Sequence, residues 1–559
     1  MKIVIIGGVA GGATAAARIR RLDEKAEIVI FERSGYISYA NCGLPYYIGG
    51  VIEDKEDLTL QTPESFGRRF RVDARVRHEV TDISPERKSV TVRNLQTGEV
   101  FSESYDKLLL SPGAGPVIPD YAEGKEEYFF TLRTVEDTFR IREYMEERQP
   151  KNAVIIGGGF IGLELAENLR MQGVDVTILQ RSRQLLNILD SDMASFLHAK
   201  CRANGVQVVF GVNVTDIQKN TVYTDRMSPI KTDMMILAIG VTPENTLAKK
   251  AGLALGSKGA IAVNDKMETS VSDIYAVGDA VEIRHFITKN KAVITLAGPA
   301  NKQGRIAADN ICGLENHYRG SLGSSVIKIF DMTVATTGLN EKAARAAGLD
   351  YEKIVLSPSS HAGYYPDAKV MTMKIFYEKK TLRLLGAQIV GSDGVDKRID
   401  VLATAIFAGL SADALQDLDL AYAPPYSSAK DPVNMAGFII DNIENGIMKQ
   451  FHYEDIEMLR KRNDVTLLDT RTVGEYTRGH AEGFIHIPVD NLRERLHELD
   501  PQKPVYVMCQ SGLRSYIATR ILTQNGFDAY NFSGGYRFYQ SITSDKAASE
   551  KAFPCGMEK

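Results

Sequence analysis

Short apolar runs that end at glycine punctuate the first half of the chain. Ile3-Val4-Ile5-Ile6 enters Gly7-Gly8-Val9-Ala10-Gly11-Gly12, and Ala153-Val154-Ile155-Ile156 enters Gly157-Gly158-Gly159-Phe160-Ile161-Gly162. Such a run predicts a buried strand of a parallel sheet, and the glycine turn predicts the start of a helix, in the first copy over about residues 13–22. A second apolar run follows each helix: Ile28-Val29-Ile30-Phe31, ending on Glu32, and Val176-Thr177-Ile178-Leu179, ending on Gln180. Two strand–turn–helix–strand units in one chain point to two dinucleotide sites. The first copy has Val9 where the second has Gly159, and tight packing of any doubly wound sheet can also demand such a turn.

Further strands are expected over residues 89–92 and 107–110, and Ile236-Leu237-Ala238-Ile239 enters a turn at Gly240. Asp273-Ile274-Tyr275-Ala276-Val277-Gly278-Asp279-Ala280 places an aspartate after a strand and a glycine, at the start of a predicted helix. Residues 326–330, 371–377 and 382–390 read as strands and residues 396–407 as a helix, with no nucleotide fingerprint among them. A final module begins near Glu454. Its strand Val505-Tyr506-Val507-Met508 delivers Cys509 into a loop, Gln510-Ser511-Gly512-Leu513-Arg514, that opens a helix.

Length and charge narrow the class. A chain of 559 residues is too long for one core and fits roughly three or four domains at about 150 residues each. A net charge of -4 points away from nucleic acid and anionic membranes as partners. Met1-Lys2 runs straight into the first strand, no apolar run reaches membrane-span length, and a cytoplasmic protein is expected. The five cysteines, Cys42, Cys201, Cys312, Cys509 and Cys555, show neither CxxC nor metal spacing. In a reducing compartment they are catalytic or inert. Cys201 and Cys312 read as packed thiols and Cys555 as a tail thiol.

Candidate chemistry follows the turns. Glu32 stands where a carboxylate holds a ribose 2′-hydroxyl, and Asp279 where one accepts from a flavin's ribityl hydroxyl, which makes the first site an FAD site interrupted by the second unit and resumed near residue 245. Gln180, Arg181 and Arg183 lean toward NADPH or dual use, since arginine pairs with a 2′-phosphate; they also read as solvated loop residues. Cys42 follows the first unit closely and reads as a thiol that exchanges electrons with the flavin. Thr14, Arg18 and Arg21 share a helix face that is either solvated or holds an anionic substrate tail. Gln61-Thr62-Pro63-Glu64-Ser65-Phe66 starts a helix capped by threonine; Arg68, Arg69 and Arg71 near its end either join that anion site or favour the helix C-terminus. Around Cys509, backbone N–H groups and a helix start favour thiolate, persulfide or a bound oxyanion. The loop is one residue shorter than the CxxxxxR phosphate cradle, which favours sulfur transfer.

Through SYANCGLPY at residues 38–46, QTPESF at 61–66, HAGYYP at 361–366 and YAPPYSSAKDPVN at 422–434, the first 445 residues resemble the single-cysteine pyridine nucleotide-disulfide oxidoreductases, and among them the coenzyme A-disulfide reductases. The last hundred resemble a rhodanese domain through DTR at 469–471, EY at 475–476, GH at 479–480 and CQSGLR at 509–514. The resemblance implies an α/β chain with two Rossmann-like dinucleotide-binding domains, an α+β dimerisation domain and a C-terminal α/β rhodanese domain. The expected bounds are 1–117 with 245–322 for FAD, 118–244 for NADPH or NADH, 323–448 for dimerisation and 455–545 for rhodanese. It further implies a homodimer acting on small thiol, persulfide or polysulfide substrates.

Carried onto this sequence, the resemblance makes Cys42 the redox thiol that forms a mixed disulfide with coenzyme A. Tyr364 and Tyr422 reach the other subunit's thiol, and Cys509 carries sulfane sulfur. Gly7, Val9, Ala10, Gly11, Gly12, Glu32, Arg33, Gly278, Asp279 and Ala297 are expected to hold FAD. Gly157, Gly159, Phe160, Ile161, Gly162, Gln180, Arg181 and Gly240 are expected to hold the nicotinamide cofactor. Thr14, Arg18, Arg21, Ser38, Asn41, Gln61, Thr62, Ser65, Arg69, Arg71, Asn301, Lys430 and Arg514 are expected to contact substrate. The Cys42 thiolate is expected to be stabilised by the flavin and by neighbouring dipoles. Tyr47 stands where dithiol relatives carry a second cysteine, and Ala10 where the peroxidase and oxidase branch carries histidine. Alternative readings are an NADH oxidase or peroxidase cycling through sulfenic acid, a protein that is chiefly a sulfurtransferase, and a redox sensor.

Overall fold

The computed structural model describes residues 1–551, with side chains to residue 549, so Cys555 lies outside the described residues. The chain divides into two compact units, Met1–Arg183 with Gly205–Gly323, and Gln184–Asn204 with Ser324–Lys559.

In the first unit the apolar runs are the centres of two parallel sheets. Lys2–Ile6 lies between Glu27–Glu32 and Lys107–Leu110, with Ile274–Ala276 and Asp73–Val76 at the edges. The late strand Ile274–Ala276 thus completes a sheet begun at the N-terminus. Asn152–Ile156 lies between Asp175–Gln180 and Met234–Leu237, with Gln207–Phe210 outside. Ile3, Val4, Ile5 and Ile155 have no exposed surface, as strands covered on both faces require.

Three details differ from the sequence reading. The first helix spans Ala10–Leu22, beginning inside the glycine turn, because Val9 already takes the N-cap place. The strand before Gly240 ends at Leu237. Asp279 opens a single 3-10 turn, Gly278–Ala280, that passes into the strand Val281–Arg284; the helix comes later, at Ala297–Ile311. That helix packs along Ala10–Leu22 so closely that a Cβ on Gly304 would stand 2.4 Å from Gly11 O. Arg20, buried, ties the end of the first helix down by donating to the carbonyls of Asp23, Glu24, Ala26, Phe70 and Arg71 at 2.7–2.9 Å.

The second unit holds an antiparallel sheet in the order Ser325–Ile329, Met332–Gly338, Leu384–Gly391, Thr372–Glu378, Tyr351–Leu356, with the helices Val395–Ala408 and Pro432–Glu444. It also holds a parallel sheet in the order Lys449–Phe451, Ala529–Phe532, Val505–Met508, Thr466–Asp469, Ile485–His486. Its first strand, Lys449–Phe451, precedes the position where the sequence suggests the module starts. The helix Ser191–Ala203 follows the second dinucleotide unit in sequence yet belongs here. It meets the C-terminal helix Gly535–Lys551 through His198 Nδ1 and Asp545 at 2.8 Å, Arg202 and Asp545 at 2.7 Å, and Ser195 and Ser541 at 2.7 Å.

Just before that helix lies a buried charge cluster. Lys374, with no exposed surface, meets Asp190 at 3.1 Å, Asp192 at 2.6 Å and Glu341 at 2.5 Å, while Lys353 bridges Glu341 at 2.9 Å and Glu454 at 2.8 Å. Burial favours the neutral acid, but Lys374 and Lys353 override it and hold Glu341 well below the usual carboxylate range. Among the described residues, no helix is long and apolar enough to cross a membrane.

Candidate functional site

The two glycine turns repeat one design. Gly7 and Gly157 have φ of +95° and +109°, and a Cβ there would lie 2.1 Å from Ser111 O and 2.3 Å from Ala238 O, so only glycine fits. Val9 has φ -101°, which any residue adopts, and that is why valine is tolerated in the first motif. Neither helix that follows has a side-chain N-cap bond, and a Cβ on Gly159 would meet open space. First-turn N–H groups beside such openings fit a pyrophosphate. Glu32 accepts from Gly8 N and Ser34 N, each at 2.9 Å, and Gln180 Oε1 accepts from Gly158 N at 2.9 Å. Burial pushes the Glu32 acid up, and those two N–H bonds oppose it. The residues present therefore fit one dinucleotide at each turn.

Cys42 lies on a 3-10 turn, Asn41–Gly43, between the short strand Ile37–Tyr39 and the helix Leu44–Ile48. It is exposed. Ser38, two residues upstream of Ala40, takes φ +45°, a conformation costly for a side-chain-bearing residue, and its N–H donates to Gly8 O at 2.8 Å. That bond ties the cysteine loop to the first glycine turn. The protein groups do not favour the thiolate as expected: packing around the sulfur, then Glu164, then Asp279, push the Cys42 thiol up. Burial disfavours the charged sulfur first, and the two carboxyls add to it.

Glu164 belongs to no motif of the sequence. It stands on the helix Phe160–Met171, two residues past Gly162, and its only sequence signal is that place. Burial, then the neighbouring Glu167, raise its acid to about 7. Burial likewise raises Asp279, opposed by Arg133 at 3.8 Å. Cys42 therefore responds to acids from both dinucleotide units.

The basic helix face is only partly available. Arg18 Nε donates to the buried Asp309 at 2.7 Å, so its charge is matched, while Arg21 is exposed. Thr14 Oγ1 donates to Asn301 Oδ1 at 2.5 Å. Thr62 and Ser65 form a reciprocal capping box at 2.9 and 3.2 Å, and Ser65 Oγ also donates to Gln61 Oε1 at 3.0 Å. Arg69 and Arg71 are exposed, Arg71 reaching Glu24 at 3.2 Å. Arg33 is exposed as well, 4.0 Å from Glu244.

In the second unit the Tyr364 and Tyr422 hydroxyls are 2.6 Å apart, so one donates to the other, and that bond raises the Tyr422 phenol. Lys430 is exposed on the same loop as Tyr422. Beneath that loop, buried Arg398 pairs with Asp431 at 2.9 Å and donates to Ser360 O at 2.9 Å, fixing the two aromatic segments to one helix.

Cys509 caps the central strand of the parallel sheet and is fully buried. Its Sγ accepts from Gly512 N at 3.1 Å and Ser515 Oγ at 3.2 Å. Gly512 has φ +106°, which turns its N–H inward at the helix start and needs glycine. Arg514, expected to contact substrate, forms a two-point ion pair with Glu475 at 2.7 Å in both bonds, and that pair holds the Glu475 acid down to about 2. Arg471 is buried against Asp469 at 2.7 Å and lies 3.7 Å over the Tyr536 ring.

Residues 1–304 match the pyridine nucleotide-disulphide oxidoreductase family, residues 324–432 its dimerisation domain and residues 453–541 the rhodanese-like domain. Coenzyme A disulfide reductase of Staphylococcus haemolyticus is 37% identical over 438 residues, 78% of this chain and 98% of that protein. The crystal structure of reduced Bacillus anthracis CoADR-RHD superposes with a TM-score of 0.95 at 48% identity, over 97% of this chain and 98% of the other. A NAD-dependent persulfide reductase from A. fulgidus gives 0.90 at 38% identity, over 96% and 100%.

Proposed function

Because the chain belongs to the pyridine nucleotide-disulphide oxidoreductase family, we propose that it is an FAD-dependent reductase that uses NADPH or NADH to reduce coenzyme A disulfide, coenzyme A persulfide or polysulfide at Cys42, and that its rhodanese-like domain moves sulfane sulfur at Cys509. One observation carries the reading: Cys42, the exposed thiol among the described residues, responds to acids of both dinucleotide units, with Tyr47 where a second cysteine would form an internal disulfide. FAD, when bound, supplies the two-electron link between the nicotinamide and this sulfur. Cys42 Sγ forms a bond to a substrate sulfur as the bond between the two substrate sulfurs breaks, and the departing sulfur takes a proton. The hydrogen-bonded Tyr364–Tyr422 pair donates that proton in a cytoplasmic homodimer, for which the matched dimerisation domain speaks. At Cys509 a persulfide donor leaves as a thiol while its outer sulfur bonds to Sγ.

The stoichiometry tests this. Without oxygen, each nicotinamide oxidised with coenzyme A persulfide yields one hydrosulfide and one coenzyme A thiol; nicotinamide consumption without sulfide refutes the reading. Tyr422→Phe lowers turnover by about a hundred-fold, the scale of a lost general acid, with less effect on KM. Steady-state kinetics check it.

Glu164 predicts a pH dependence. Its acid titrates at about 7, so below that pH it is neutral and above it adds a negative charge that opposes the Cys42 thiolate. In Glu164→Gln the inflection near pH 7 disappears from the pH profile of kcat/KM. The Cys42 thiol also titrates lower than in the wild type, measured by its rate of alkylation between pH 6 and 10.

A further inference from the structure

The loop that cradles Cys509 offers N–H groups to an anionic sulfur, but the two arginine side chains on it or bonded to it are already matched by acids. Gln510, Ser511, Gly512 and Leu513 carry no charge. Arg514, the next residue, gives both arms of its guanidinium to Glu475 at 2.7 Å. Glu475 is itself fixed, because its Oε2 accepts from Thr472 N and Thr472 Oγ1, each at 2.9 Å, in the cap of the helix Val473–Arg478. Arg471 reaches Gln510 Oε1 at 3.5 Å, but it is buried and its other bonds go to Asp469 at 2.7 Å and Gly479 O at 2.8 Å. Leu513, exposed on the loop, and Ile517, exposed one turn on, add apolar surface.

Sulfur donors divide on this point. From thiosulfate the departing group is the sulfite dianion, which a cation must hold; from an alkyl persulfide it is a single thiolate. We infer that Cys509 is charged by alkyl persulfides and not by thiosulfate, and that Glu475 sets this choice by occupying the guanidinium of Arg514 that would otherwise hold the sulfonate. In the step, the Cys509 thiolate bonds to the outer sulfur of the persulfide and the donor's S–S bond breaks. The inner sulfur leaves with the electron pair and takes the persulfide's proton, and Cys509 is left as a persulfide anion with no net oxidation. The inference rests on the proposed sulfur transfer at Cys509 and not on the flavin chemistry.

Intact-protein mass tests it, followed over time for the full FAD-loaded chain carrying Cys42→Ser, without nicotinamide, after adding thiosulfate or coenzyme A persulfide. The same chain with Cys509→Ser is the blank, so the sulfur counted is that on Cys509. The persulfide charges Cys509 at least about ten-fold faster than thiosulfate, the scale of one charge-assisted contact. Glu475→Gln raises the thiosulfate rate by about ten-fold or more, and adding Arg514→Ala removes the gain. Glutamine still serves in the Thr472 cap, so the helix start survives the change. Thiosulfate as fast as the persulfide in the parent chain, no gain in well-folded Glu475→Gln, or a gain that persists without Arg514 overturns the inference and leaves sulfur transfer at Cys509 standing. Charging by neither donor overturns the sulfur-transfer reading, and this inference with it.

Discussion

Replacing Cys42 with serine lowers reduction of coenzyme A disulfide and persulfide by about a thousand-fold or more, the scale of losing a nucleophile, while nicotinamide still bleaches the flavin absorbance. The reason is chemical. Serine has nearly the same shape, so the turn Asn41–Gly43 and its bond network survive, but a hydroxyl cannot form the mixed disulfide. Four cysteines lie among the described residues; Cys201 is buried on the helix Ser191–Ala203 and Cys312 half-buried at the end of Ala297–Ile311, so neither presents an exposed thiol as Cys42 does. Rapid-scan absorbance of the reductive half-reaction, beside steady-state turnover, separates the two effects.

Lys374→Met destabilises the second unit by about 3–5 kcal/mol, the cost of breaking a buried ion cluster by removing one partner. With the ammonium gone, Asp190, Asp192 and Glu341 face one another with Lys353 and Arg345, both on Glu341, as the remaining cations. The deficit depends on pH in a defined direction. Glu341 is held below its unfolded value, so in the wild type its contribution is present above that value and fades as pH falls through the native one. In the variant the carboxyls regain protons at higher pH. The gap between the two proteins is therefore widest above pH 7 and narrows toward pH 4, which thermal melts across that range read directly. Lys374→Arg retains most of the stability.

Much of the site is visible along the chain because its signals are local. A glycine forced by its backbone angle, as at Gly7 and Gly157, and a strand buried on both faces leave a mark within a dozen residues. The Thr62 cap rests on residue types that the sequence displays, whereas the meeting of the Tyr364 and Tyr422 hydroxyls, 58 residues apart, does not show there. What escapes is set by contacts far apart in the chain. Arg18 reads as a free cation until Asp309 is found beside it, 291 residues on. The helix Ser191–Ala203 reads as part of the nicotinamide unit until Asp545 is found on His198. The rise of the Cys42 thiol and of Glu164 is a consequence of burial, which no residue pattern states.

The most direct test is anaerobic stopped-flow reoxidation of the wild-type protein after reduction with one equivalent of NADPH, using coenzyme A persulfide, coenzyme A disulfide and hydrogen peroxide as competing oxidants. Fast return of the oxidised flavin spectrum with either sulfur compound, and slow return with peroxide, is the result predicted from the exposed Cys42 thiol with Ala10 at the glycine turn. Fast reoxidation by peroxide with sluggish sulfur compounds would contradict the assignment of Cys42 as a disulfide and persulfide reductant.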